Sequence, residues 1–473
     1  MTAMDRFLMG TAETPVGDSP ALAWFYCENA LLTSGWTRDV LLAVDGSGWI
    51  REVRHGHRDA HRCLGRYVVP GMPNAHSHAF QFAMAGLSER AGPAGDDFWT
   101  WRETMYQFAG RMDPELMQAI AAMAYAEMLR HGFTTVCEFH YLHHGPDGQR
   151  LSPPAAMAQA LLAAAESVGI GITLLPTLYQ TAGFDGAPLS ARQRRFGHDL
   201  EGFLQLVAQL RDLDNEQAIT GIAIHSLRAV PPEALTALLA DPMAVAGPIH
   251  IHIAEQLREV TDCQGARRAR PVEWLLANAD VDPRWCLVHA THVADAEVRA
   301  MADTGAVVAL CPTTEANLGD GVFPLRAFLD AGGAIAVGSD SHVSISPVED
   351  LRWLEYGQRL ATLSRNVVAG ADRPSTGETL WHEALLGGAQ ASGRKVGALA
   401  PDHRADWLVL DETMPSLQAR EPGEIIDALV FAGNRNPVRE TWIAGRRRVA
   451  DGRHVDEARL IKAFGRAMRV LRA

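Results

Sequence analysis

Lysine is almost missing from this chain. Only Lys395 and Lys462 appear among 43 basic residues, which leaves 41 arginines, and the first 394 positions contain no lysine. That stretch can therefore neither form a lysine Schiff base nor bridge two metal ions through a carboxylated lysine. Cysteine is sparse as well. The six residues are scattered without a CxxC pair, and 473 residues suffice to bury a core without staples, so free thiols in a reducing compartment are expected. No run approaches the roughly 18 uninterrupted apolar residues of a membrane helix. The N-terminus lacks the basic flank and apolar run of a signal peptide, and a cytoplasmic location is expected. Net positive charge is absent too. A formal charge of −13 opposes binding to nucleic acid or to an anionic membrane surface.

A 47% apolar and 21% charged composition excludes disorder and fits an ordinary globular protein. Short β-branched runs alternate with Ala/Leu-rich stretches. The candidate strands are 66–69, 134–139, 171–178, 220–225, 248–253, 285–289, 306–310 and 334–337. Helical patterns such as 114–130, 155–168, 202–212, 232–240, 271–279 and 295–302 lie between them. Eight strand–helix repeats predict an α/β protein built on a (β/α)8 TIM-type barrel, with an insertion in the long first interval. Strand-like segments at 41–44 and 49–53 match others at 407–410, 428–431, 440–443 and 447–449, and 456–471 reads as a closing helix. If the two ends pair, neither leaves an open edge. The expected division is residues 1–66 and 398–473 as one composite β-sandwich domain, with the barrel at 67–397.

Barrel enzymes collect reactive groups at the C-terminal ends of their strands. Five expected ends carry such groups here. His76 and His78 follow the first strand at i and i+2, which places both side chains on one side of an extended segment. The fourth strand ends at His225, with Arg228 three residues on. His250, His252 and Glu255 belong to the fifth, His289 ends the sixth, and Asp340 follows the eighth. Imidazoles and a carboxylate without thiolate suit Zn2+ or Fe2+ with an open coordination position. Such an ion lowers the pKa of a bound water toward 7. With no barrel lysine to bridge a pair, one metal is expected.

This constellation resembles the amidohydrolase superfamily, and the His252–Glu255 HxxE pattern resembles its mononuclear deaminase branch. Within that branch PGMPNAHSHAFQFAMAG, DDFWTWRETMY, EFHYLHH, IHSLRAV, HIHIAEQ, WCLVHATH, TTEANLGDG and GSDSHVS resemble the formimidoylglutamate deiminase family, from Pro70 to Ser344. The resemblance implies one divalent ion, Zn2+ foremost and Fe2+ the alternative, held by His76, His78, His252 and Asp340, with His250 the competing imidazole. It implies catalytic roles for Glu255, which protonates departing ammonia, for His289, and for Asp340 beside the attacking water. Gln81, Arg102, Tyr141, His225 and Arg228 would contact the substrate, N-formimino-L-glutamate, and the products would be N-formyl-L-glutamate and ammonia. A homodimer is expected by analogy.

Formiminoglutamate carries two carboxylates, which arginine forks suit. Two other readings remain open at this point. One is a deaminase of the same superfamily acting on a nucleobase or adenosine derivative, which would favour stacking aromatics over paired arginines. The other is a barrel serving as a non-catalytic scaffold. Arg102 and Arg228 also admit simple packing or surface roles, and Gln81 and Tyr141 could be core fillers.

Overall fold

A computed structural model describes residues 22–58, 61–90 and 97–473; the stretch read for a leader falls largely outside them. Eight parallel strands form the central sheet: β1 (Met72–Ser77), β2 (Phe133–His140), β3 (Gly171–Leu178), β4 (Ile222–Ser226), β5 (Ile249–Ile253), β6 (Trp285–His289), β7 (Val307–Leu310) and β8 (Ala334–Val337). Each pairs with the next in chain order, as right-handed βαβ crossovers produce. The ring closes through a parallel bridge between Ser77 and Asp340, where Asp340 N donates to His76 O at 3.0 Å and His78 N donates to Asp340 O at 3.1 Å. Gly338 permits this approach, since a Cβ there would stand 2.7 Å from His76 Cβ. Closure thus sets His76, His78 and Asp340 side by side. Most strands are buried on both faces, which explains their near-continuous apolar character.

The first expected barrel strand is corrected. Residues 66–69 belong to the strand Arg62–Pro70, which pairs with Ala23–Leu32 and Trp407–Leu410 outside the barrel. The hand-over falls at Gly71, whose N donates to Asp406 O, while Met72 N already donates to Gly132 O beside β2. A Cβ on Gly71 would lie 2.1 Å from Thr134 Cγ2, so only glycine lets the chain pass. The chain thus passes from the outer sheet into the barrel between Pro70 and Met72. His76 lies within β1 and His78 directly follows it, in the extended segment expected for the pair.

The two ends of the chain build one eight-stranded sheet, in the order Arg453–His454, Arg446–Ala450, Val438–Ile443, Trp407–Leu410, Arg62–Pro70, Ala23–Leu32, Gly35–Val44, Ile50–His55. Phe25 and Trp442 sit three strands apart, about 14 Å in a flat sheet. Their ring centroids are nevertheless 5.6 Å apart, so the sheet coils over itself to make the two layers. Residues 428–431 are corrected from strand to helix. They end the helix Ile425–Phe431, where Ile425, Ile426, Leu429 and Val430 bury one helical face against Thr376–Ser392. The closing helix is Glu457–Arg472. No described helix is long and apolar enough to cross a membrane.

Two helices, Phe98–Ala109 and Pro114–His131, occupy the long interval after β1. The first starts at a capping box, with Asp97 accepting from Trp99 N and Thr100 N and Thr100 Oγ1 accepting from Asp97 N. Buried Arg195 holds its far end by donating to the carbonyls of Ala109, Met112 and His144. Arg102 is thereby carried on an element fixed at both ends.

Candidate active site

Three imidazoles meet at the barrel's C-terminal end. His76 Nε2 lies 3.2 Å from His78 Nε2 and 3.0 Å from His252 Nε2, and the latter two are 3.3 Å apart. Asp340 Oδ1 is 3.5 Å from both His76 and His78 Nε2. His78 Nδ1 donates to Phe139 O at 2.8 Å, and His252 Nδ1 donates to His225 O at 2.9 Å. Those bonds fix the tautomers and leave Nε2 lone pairs facing one point. Burial, reinforced by neighbouring imidazoles, keeps His76 and His252 well below the usual histidine range and His78 near 3. Converging neutral lone pairs repel unless a cation lies between them. A tetrahedral ion with Zn–N bonds of about 2.0–2.1 Å separates its ligand atoms by about 3.3 Å, so the donor set fits one. Asp340 holds its place at φ +43°, a conformation that non-glycine residues occupy only under constraint.

His250 does not join this group. It shares a face with His252 but lies two residues down β5, about 7 Å nearer the opposite end. There its Nε2 donates to Ala391 O at 2.8 Å.

The acid–base side is built around His289, at φ +69° on the end of β6. Its Nε2 lies 3.7 Å from Glu255 Oε1 and 3.8 Å from Asp340 Oδ2, and its Nδ1 lies 3.3 Å from Glu315 Oε1. Burial lowers the His289 pKa, but Glu255, Glu315 and Asp340 outweigh it and push the imidazole up to about 10. Burial likewise raises Glu255, and it lifts Asp340 to about 7 and Asp320 to about 9, with the neighbouring carboxylates adding to the effect. Glu259 receives Glu255 N at 3.0 Å and is also raised, to about 7, by burial and then by Glu255. Crowded carboxyls of this kind hold protons near neutral pH, which proton transfer requires.

Across the cleft, Arg228 donates to Tyr179 Oη at 3.3 Å and to Ala182 O at 3.2 Å, and Arg102 donates to Tyr179 Oη at 3.4 Å. Among the described residues neither arginine has a carboxylate within 4.0 Å, and both are half-buried. Gln81 Nε2 donates to Tyr141 Oη at 3.0 Å beside them. One cleft exposes Gln81, Arg102, Tyr141, His225, Arg228, Glu255, His289 and Asp340 together with His78 and His252. His76 lies directly beneath. The site residues expected from the sequence, His250 apart, thus lie together at one place. Groups the sequence reading passed over are Tyr179, Glu315, Glu259 and Asp320. Tyr179 follows β3 immediately, so its place at a strand end was the available signal. His140, His143 and His144 are buried; His143 Nε2 donates to Thr177 O and His144 Nε2 to Gly197 O, which ties down loops.

The profile of the amidohydrolase family matches residues 67–448. The chain belongs to the amidohydrolase family. Members of that family depend on metal, in accord with the His/His/Asp group described above. Formimidoylglutamate deiminase of Pseudomonas aeruginosa is 50% identical over 444 residues, covering 93% of this chain and 97% of that protein. A 5-methylthioadenosine/S-adenosylhomocysteine deaminase of Natronomonas pharaonis is 26% identical over 82% of this chain and 81% of its own length. Among solved structures, an amidohydrolase from Brucella melitensis superposes with a TM-score of 0.90 at 43% identity, over 95% of this chain and all of that one. A zinc-bound adenosine deaminase from Xanthomonas campestris, at 22% identity and TM-score 0.78, shares the fold over 96% of this amidohydrolase and 99% of its own chain.

Proposed function

We propose that this amidohydrolase hydrolyses N-formimino-L-glutamate to N-formyl-L-glutamate and ammonia. The observation that carries this reading is the pair of arginines, Arg228 and Arg102, which among the described residues have no carboxylate within 4.0 Å and line the cleft that also holds the imidazole–carboxylate group. Half-buried guanidinium groups that lack a direct carboxylate partner suit an anionic ligand that supplies one. The formimidoylglutamate deiminase at 50% identity supports the same substrate.

His76, His78, His252 and Asp340 would hold one divalent ion, Zn2+ in the first instance and Fe2+ as the alternative. When bound, the ion supplies a water acidic enough to attack at neutral pH. Arg228 and Arg102, with Tyr141 and Gln81, bind the two carboxylates, and His225 lines the passage between them and the reacting end. The cationic formimino group faces Glu255, Asp340 and His289. Water adds to the formimino carbon, Asp340 takes its proton, and His289 steadies the developing charge. Glu255 delivers a proton to the terminal nitrogen, the carbon–nitrogen bond breaks, and ammonia leaves the formyl oxygen behind.

A nucleobase substrate is less well served. The Trp99 ring at the mouth already carries the guanidinium groups of Arg258 at 4.5 Å and Arg102 at 5.4 Å. The test is ammonia release from N-formimino-L-glutamate, S-adenosylhomocysteine and 8-oxoguanine at equal concentration. Preference for a purine compound by ten-fold or more would overturn the assignment.

A further inference from the structure

We propose that Tyr179, which stands behind the cleft wall, is the positioning residue that couples Arg102 and Arg228 into a single clamp for a dicarboxylate. The proposal deepens the reading above and rests on its assignment of the two arginines to the substrate's carboxylates.

The phenol oxygen of Tyr179 is fully buried and receives three N–H donors: Gln193 Nε2 at 2.9 Å, Arg228 Nη1 at 3.3 Å and Arg102 Nη2 at 3.4 Å. Two guanidinium groups that share one acceptor hold those nitrogens within about 7 Å of each other. Like charges at that distance repel, and among the described residues the phenol is the one side-chain acceptor that both arginines share. Each guanidinium has five N–H donors, so the contact with Tyr179, joined in Arg228 by one to Ala182 O, orients the fork and leaves further donors for a ligand. Tyr179 accordingly sets both the direction and the spacing of the two cations.

Its own place is over-determined. Gln193 is aimed at the phenol because its Oε1 accepts from Ser190 N at 3.1 Å. The same short segment carries Arg195, which anchors the carbonyl end of the helix bearing Arg102. On the other side, Gln180 N donates to Ala229 O at 2.7 Å and Thr181 Oγ1 donates to Arg228 O at 3.0 Å. Tyr179 therefore joins the helix Phe98–Ala109, the end of β3 and the loop after β4, three elements that share no continuous stretch of chain. The neighbouring phenol of Tyr106 is lifted to about 12 by burial, whereas the arginines, chiefly Arg228, outweigh burial at Tyr179 and lower its pKa. The contrast agrees with Tyr179 being the acceptor on which the positive charge is focused.

The experiment uses the zinc-loaded full-length enzyme and its Tyr179→Phe variant, which keeps the ring and removes the shared acceptor. KM and kcat are measured with N-formimino-L-glutamate, and inhibition constants with glutarate and butyrate. Losing a hydrogen bond to a charged group corresponds to about ten-fold or more in binding. The expected result is a ten-fold or larger rise in KM and in the glutarate constant, with kcat changed less than three-fold and the butyrate constant less than two-fold. A glutarate constant within two-fold of wild type, or glutarate and butyrate weakened alike, would overturn the clamp. Wild-type enzyme that binds glutarate but does not turn over formiminoglutamate would instead overturn the substrate assignment, and the inhibitor pair would still judge Tyr179.

Discussion

Replacing Arg228 with methionine separates substrate recognition from fold and metal. The guanidinium contacts Tyr179 Oη and Ala182 O and, among the described residues, has no carboxylate within 4.0 Å, so the substitution removes a half-buried cation that forms no direct ion pair in the free protein. Two effects act on the bound substrate. A hydrogen bond involving a charged group is worth about 1.5–3 kcal/mol. The Coulomb attraction between unit charges 4 Å apart is about 4 kcal/mol at an effective dielectric of 20, which sets the upper end because solvent and neighbouring dipoles recover part of it. A net loss of about 2–4 kcal/mol corresponds to roughly 30- to 1,000-fold in kcat/KM. Because Arg228 sits across the cleft from Glu255 and His289, most of that loss belongs in KM. Steady-state ammonia release over a substrate series measures it, with zinc content and the thermal midpoint as controls for folding. A KM within three-fold of wild type would refute carboxylate recognition by Arg228, as would an equal fall in kcat at unchanged KM.

Glu255→Gln should lower kcat by about 10²- to 10⁴-fold with zinc content unchanged, measured by ammonia release and metal analysis. His252→Ala should lose the metal, whereas His250→Gln should keep it and cost about 1–3 kcal/mol of stability through its bond to Ala391 O, read by metal stoichiometry and denaturant unfolding. Chelation should leave the chain folded but lower its thermal midpoint, and zinc should restore both midpoint and turnover. Substrate affinity should fall as pH rises through the lowered pKa of Tyr179. The phenolate formed there competes with the substrate's carboxylates for Arg228 and Arg102, and the alkaline limb in 1/KM should vanish in Tyr179→Phe.

Much of this architecture is legible in the sequence because strand–helix alternation and strand-end chemistry are local signals. β3, β6 and β8 fall where apolar periodicity puts them, and His252, His289 and Asp340 follow from their places at strand ends. β1 escapes notice as the first barrel strand because Pro73, Asn74 and His76 break the β-branched apolar run that marks the other strands. Its extended form comes from pairing with β2 and from the closing bridge to Asp340, contacts made over long stretches of chain. The helix ending at Phe431 reads as a strand when its last four residues are taken alone; its amphipathic face emerges only with Ile425 and Ile426. Tyr179 and Glu315 remain hidden for a different reason. Their partners, Arg102 and Arg228 in one case and His289 in the other, are set beside them by the ring of strands, and no spacing along the chain encodes those encounters.

The central claim is tested most directly by ammonia release from N-formimino-L-glutamate with zinc-loaded enzyme, before and after chelation. The expected result is turnover that disappears with the metal and returns with zinc, with N-formyl-L-glutamate formed in equal amount. No ammonia from the zinc-loaded protein, or turnover unaffected by complete metal removal, would contradict it.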